Sequence, residues 1–74
     1  MTPLPVVKAR ECITALQRAG FYIDRQKGSH VTFVRDKPFA RTTVPNHNKP
    51  LKPGTLRQII KDAGLTVDEF IDLL

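Results

Sequence analysis

The chain has 74 residues, a formal net charge of +5 and an isoelectric point of about 9.9. That length allows one domain over residues 1–74 with a small core, since a chain of this size buries roughly 60% of the surface its unfolded form exposes. The single cysteine, Cys12, excludes an internal disulfide and fits a reducing cytoplasm, and neither a membrane span nor a signal-peptide pattern is present.

Met1 to Leu4 reads as a loose end. Pro5 suits the first turn of a helix, where its missing N–H costs nothing. Val6, Ala9, Ile13 and Leu16 follow at helical spacing, with Cys12 and Ala19 widening the apolar stripe. Gly20 stops this first helix, predicted over Pro5–Ala19, as a left-handed cap. The period then changes to two. Phe21 to Gln26 reads as a strand with Phe21 and Ile23 inward and Tyr22 and Asp24 outward. After a turn at Lys27-Gly28-Ser29, His30 to Arg35 is a second strand. Val31 and Phe33 make one face of it, and His30, Thr32 and Val34 the other. Asp36 to Ala40 is a turn, and Arg41 to Pro45 is a third strand, ended by a proline that cannot donate to a ladder. Short turns between the three strands predict an antiparallel meander.

Asn46 to Pro50 is a loop, and Pro53 opens a second helix in which Leu56, Ile59, Ile60 and Ala63 form an apolar stripe ended by Gly64. Leu51 is placed to staple onto Leu56. Thr66 and Glu69 make a capping box for a short third helix, Val67–Leu74, with a matching staple from Leu65 to Phe70. Its inward residues are expected to be Val67, Phe70, Ile71 and Leu74. The order α-β-β-β-α plus a short C-terminal helix predicts an α+β fold, with helices on one face of a three-stranded antiparallel sheet. The other face is left for solvent or a ligand. If Val31 and Phe33 face the helices, His30 stands exposed at the start of the second strand.

Charge is unevenly distributed. Phe21 to Lys49 holds six cations against two carboxylates, whereas Pro50 to Leu74 holds three against four. A basic middle points to a polyanion on one face, nucleic acid first and an acidic protein second. Within it, Arg25-Gln26-Lys27-Gly28-Ser29-His30 packs two cations, a glycine, a hydroxyl and an imidazole into one turn. Imidazole exchanges a proton near neutral pH, glycine admits a close backbone, and the cations attract phosphate. Such a cluster suits a proton-transfer group held beside a phosphodiester; a plain basic turn with an exposed histidine is the simpler alternative. Two histidines and one cysteine without ligand spacing predict neither a metal site nor a cofactor. Ser29 has no carboxylate placed within the motif to complete a triad, Asp24 being the nearest.

These residues resemble the HicA family of toxins, the ribonuclease halves of toxin–antitoxin pairs. The resemblance rests on Leu16-x-x-x-Gly20-Phe21, on Arg25-Gln26-Lys27-Gly28-Ser29-His30, and on Val44-Pro45-x-His47 followed by Leu51-Lys52-x-Gly54-Thr55-Leu56-Arg57-x-Ile59. Phe21 stands where the family often has Trp, and Val31 where it often has a second His. The resemblance implies a fold like the double-stranded-RNA-binding domain, cleavage of mRNA that stops translation, and a HicB-type antitoxin that blocks the active face; the lack of ligand-spaced residues makes the expected cleavage metal-independent.

By the same resemblance His30 carries the acid–base role. Arg25 and Lys27 would neutralise phosphate, Gly28 would admit the backbone, and Ser29 would donate a hydrogen bond. His47 reads as a loop residue that positions the third strand's exit or touches RNA, or as a second acid–base group. Lys49 and Lys52, with Arg57 and Lys61 beyond them, read as RNA-backbone or antitoxin contacts. A non-catalytic RNA-binding module of the same fold needs only the cations.

Overall fold

Strand β2 (His30–Arg35) is the centre of the molecule. In the computed structural model, which describes residues 3–74, it pairs antiparallel with β1 (Tyr22–Lys27) on one side and with β3 (Ala40–Pro45) on the other. Helices α1 (Ala9–Arg18), α2 (Pro53–Asp62) and α3 (Val67–Asp72) complete the chain. The sheet order is β1-β2-β3, the expected meander. Together these give the α-β-β-β-α-α layout of the double-stranded-RNA-binding-domain type. No helix among the described residues is long and apolar enough to cross a membrane.

Val31 and Phe33 of β2 and Val44 of β3 are buried against Cys12 and Leu16 of α1, Leu56, Ile59 and Ile60 of α2, and Phe70 of α3. Thr42 faces the same way and donates its hydroxyl to the Ile59 carbonyl at 3.4 Å, which satisfies a polar atom inside an apolar layer. Both long helices end as the glycines require. Gly20 (φ +95) and Gly64 (φ +72) sit just past the last turns. The Phe21 and Leu65 N–H groups reach back to the Leu16 and Ile60 carbonyls, the bond pattern of a Schellman cap. The Thr66–Glu69 box of α3 is formed in both directions, at 3.1 and 2.9 Å.

The first helix begins at Ala9, four residues later than its pattern predicts. Tertiary pairing wins over periodicity here. The Leu51 N–H donates to the Val7 carbonyl at 2.8 Å, and Lys8 bridges to Pro50, so the segment before α1 is extended against the segment before α2. In consequence Val7 is buried and Val6, expected on the apolar stripe, is 82% exposed. Leu4 packs partly against the core, so it is not part of a loose end; Met1 and Thr2 lie outside the described residues. At the other end α3 stops at Asp72. Leu73 packs against the core, its carbonyl accepting from the Arg18 guanidinium at 2.7 Å, and Leu74, expected inward, lies past the last helical turn and is 44% exposed.

Ile23 is a further correction. Its partner is Phe33, so it lies on the helix side of the sheet, yet it is 53% exposed. Helices α1 and α2 pack over β3, and β1 is an edge strand exposed along its whole length.

Arg35 leaves the basic surface altogether. Its guanidinium donates to the carbonyls of Pro38, Ala19 and Ala63 and stacks over the Phe21 ring at 4.8 Å. A cation between the C-terminal ends of two helices complements both dipoles and satisfies their last carbonyls.

Cys12 is buried among apolar atoms, and that burial pushes its thiol up to about 12 from 9.0. The thiolate is the reactive form, so the folded protein should resist alkylation at pH 8, and labelling should occur only through unfolding. The sign of the linkage follows. The unfolded thiol ionises first, so Cys12 supports the fold fully below about pH 9 and ceases to do so as pH rises toward about 12. Mass-spectrometric labelling with and without urea checks this; rapid labelling of the native protein at pH 8 would contradict the burial.

Candidate nucleic-acid interface

The outer face of the sheet is set by one register. His30 pairs with Lys27 on β1 and with Pro45 on β3, and Thr32 pairs with Arg25 and Thr43. Directly opposed residues share a face, so Arg25, Lys27, His30, Thr32 and Thr43 all point away from the helices. Strict alternation from Phe21 and Ile23 would turn Arg25 and Lys27 inward. A β-bulge between Ile23 and Arg25 adds Asp24 as the unpaired residue and reverses the parity. One extra residue thus brings two cations onto the side of the imidazole.

The turn itself has two residues, Gly28 and Ser29. Gly28 is at φ +58 and Ser29 is not at positive φ, the pattern of a type II′ hairpin turn with glycine first. No atom lies within 4 Å of where a Gly28 Cβ would stand, so the space above the turn is open. Arg25, Lys27, Gly28, Ser29, His30, Thr32 and Arg41 line one open depression of about 700 Å³. The His30 ring is exposed and makes no hydrogen bond or ion pair within the described residues. Asp24 and Asp36, the two carboxylates nearest it in sequence, are engaged elsewhere, Asp24 with Arg41 at 3.8 Å and Asp36 by the Tyr22 hydroxyl at 2.8 Å. The Asp24–Arg41 pair is exposed, and pairs of this kind are worth about 0–1 kcal/mol, so Asp24 holds Arg41 only weakly.

The second sequence block sits beside this depression rather than in it. His47, Lys49 and Lys52 line a separate hollow of about 640 Å³ with Pro45, Pro50 and Thr55. The two are joined by backbone: the Asn46 N–H donates to the Ser29 carbonyl at 2.7 Å, tying the hairpin turn to the exit of β3. Arg57 and Lys61 lie exposed on α2 and line neither hollow. Thr32 and Arg41 are additions that sequence reading did not single out. The signal was present, since fixing His30 outward places every second residue of β2 and its partners on β3 on that face. Among the described residues no group of three or more His, Cys, Asp or Glu is placed to hold a metal ion.

An edge hairpin that carries an outward imidazole among cations, on a helix-backed antiparallel sheet, defines a small domain of the double-stranded-RNA-binding-domain type with a basic outer face. No curated protein matches the chain. A family model does: the one described as the HicA toxin of bacterial toxin–antitoxin matches residues 9–65. The chain belongs to the HicA toxin family of toxin–antitoxin systems. The match runs from the first residue of α1 to Leu65 and includes both hollows; α3 lies beyond it.

Proposed function

We propose that the chain is an endoribonuclease toxin that cuts mRNA without a metal, works in the cytoplasm, and is neutralised by a HicB-type antitoxin seated over the basic hairpin. The observation that carries this reading is the shared outward face of His30, Arg25 and Lys27 in a single open depression. RNA brings its own nucleophile. The 2′-oxygen attacks the adjacent phosphorus, the bond to the 5′-oxygen breaks, and the ends are a 2′,3′-cyclic phosphate and a 5′-hydroxyl. The proton on the 2′-hydroxyl has to leave, the departing 5′-oxygen has to gain one, and the charge that grows on the phosphoryl oxygens has to be held. His30 takes the 2′-hydroxyl proton and returns it to the 5′-oxygen, general acid–base help worth about 10²–10⁴-fold. Arg25 and Lys27 hold the phosphate, Gly28 leaves room for it, and the Ser29 hydroxyl donates to it. His47, Lys49 and Lys52 contact the RNA as it leaves the turn.

A single assay tests the whole reading. Purified protein is incubated with unstructured RNA in excess EDTA and the new ends are identified. Cyclic phosphate and 5′-hydroxyl ends are expected. Cleavage that requires added metal, or that leaves 5′-phosphate ends, would overturn it. The imidazole has no orienting partner in the free protein, and that observation favours one second reading, a non-catalytic RNA-binding module. Binding without any cleavage in the same assay would select it.

A further inference from the structure

A third hollow opens where the start of α1 meets the loop that follows β3. It measures about 240 Å³ and is lined by Lys8, Arg10, Asn46, His47 and Asn48. Its two walls are held in fixed relation by the ladder that starts α1 late, through the Leu51 N–H to the Val7 carbonyl at 2.8 Å and the Lys8–Pro50 bridge. The lining offers a lysine, an arginine, an imidazole and two carboxamides, and no carboxylate. Glu11 is the nearest acidic group in sequence, and its Oε1 is engaged by the Lys8 backbone N–H at 2.9 Å. Lys8 and Arg10 make no ion pair within the described residues. The hollow shares His47 and Asn48 with the one that holds Lys49 and Lys52, and Asn46 ties it to Ser29 at the hairpin turn.

We propose that Lys8 and Arg10, with the Asn46–Asn48 loop, form a second phosphate-binding site for the RNA strand whose scissile linkage lies at His30. This rests on the ribonuclease reading for the identity of the strand, and it extends the contact surface from the hairpin to the start of α1. Two cations and several N–H donors in a concave, carboxylate-free setting fit the backbone of a nucleic acid. An acidic protein segment would meet the same cations, and it is separated by the test below.

The probes are 2′-O-methyl RNAs, which lack the nucleophile and so survive binding measurements. One is a 12-nucleotide strand and the other a trinucleotide that spans only the hairpin depression. The Lys8→Gln/Arg10→Gln variant should bind the long strand about tenfold more weakly, and the slope of log affinity against log salt should be shallower by about 1.4, as for two lost single-strand phosphate contacts. Trinucleotide binding should be unchanged. The charge-preserving Lys8→Arg/Arg10→Lys variant should restore the long-strand affinity, which separates lost charge from a disturbed helix start. Long-strand affinity within twofold of wild type, or an equal loss on both probes, would overturn the proposal, as would loss of antitoxin binding with RNA binding intact. The ribonuclease reading fails separately, through absence of cleavage of unmodified RNA, and that result would leave the binding comparison fully readable.

Discussion

His30→Ala should lower RNA cleavage by about 10²–10⁴-fold, the span lost with one acid–base group, while RNA affinity stays within a few-fold of wild type. The split follows from where the residue sits. His30 is exposed at the first position of β2, its ring touches no partner within the described residues, and in the proposed reading the affinity for RNA is carried by Arg25, Lys27 and the cations beyond the turn. Removing an exposed ring changes stability within about 0.5 kcal/mol, so thermal unfolding should hardly move. Arg25→Gln and Lys27→Gln should behave in the opposite way, weakening binding and flattening its salt dependence. His30→Gln keeps hydrogen-bonding capacity and loses titration; it should be as defective as alanine if the proton is what matters. Full cleavage by well-folded His30→Ala would remove the imidazole from the mechanism and shift attention to His47 in the adjoining hollow.

The face that holds His30 was legible from β2 alone. Val31 and Phe33 set the helix side of that strand, and their parity puts His30 and Thr32 on the other face, where His30 is exposed and Thr32 is covered by its neighbours. Strand β1 was not legible in the same way. Its apolar residues, Phe21 and Ile23, suggest an alternation that places Arg25 inward, and nothing local marks Asp24 as a bulge. The bulge becomes apparent only through the register with β2, where Ile23 pairs with Phe33 and Arg25 with Thr32. The start of α1 failed for a similar reason. Pro5 and Val6 fit a helix by period and by propensity, but the extended pairing of Val7 and Lys8 with the Pro50–Leu51 segment is a long-range choice that no window of local sequence contains. The basic middle was overcounted because Arg35 is a structural cation. Its arginine identity reads as surface charge until Gly20 and Gly64 bring two helix ends to it. Glycine-stopped helices and the Thr66 box, by contrast, are short-range devices, and they stand where the sequence puts them.

Phe70→Ala should unfold the protein, although Phe70 lies outside the span of the family match and on the helix farthest along the chain from the basic turn. The ring is 0% exposed and joins the same core cluster as Phe33, Leu16 and Leu56. Phe-to-Ala changes at such sites cost about 3–5 kcal/mol. A domain of this size draws roughly 3–5 kcal/mol of net stability from its core, so the loss equals the whole margin. Phe70→Leu keeps most of the volume and should cost about 1 kcal/mol. Leu74→Ala, on an exposed side chain of the same helix end, should be neutral, so urea titration of the three distinguishes burial from mere hydrophobicity. Cleavage by Phe70→Ala should be lost as well, but for a reason that ligand can reverse. An RNA that binds only the folded form adds about 2.7 kcal/mol at a hundredfold excess over its Kd, enough to recover much of the folded population. Uncleavable RNA should therefore restore the circular-dichroism signal of Phe70→Ala. No concentration of RNA should restore cleavage to His30→Ala, because that protein is already folded and lacks the group proposed to move the proton.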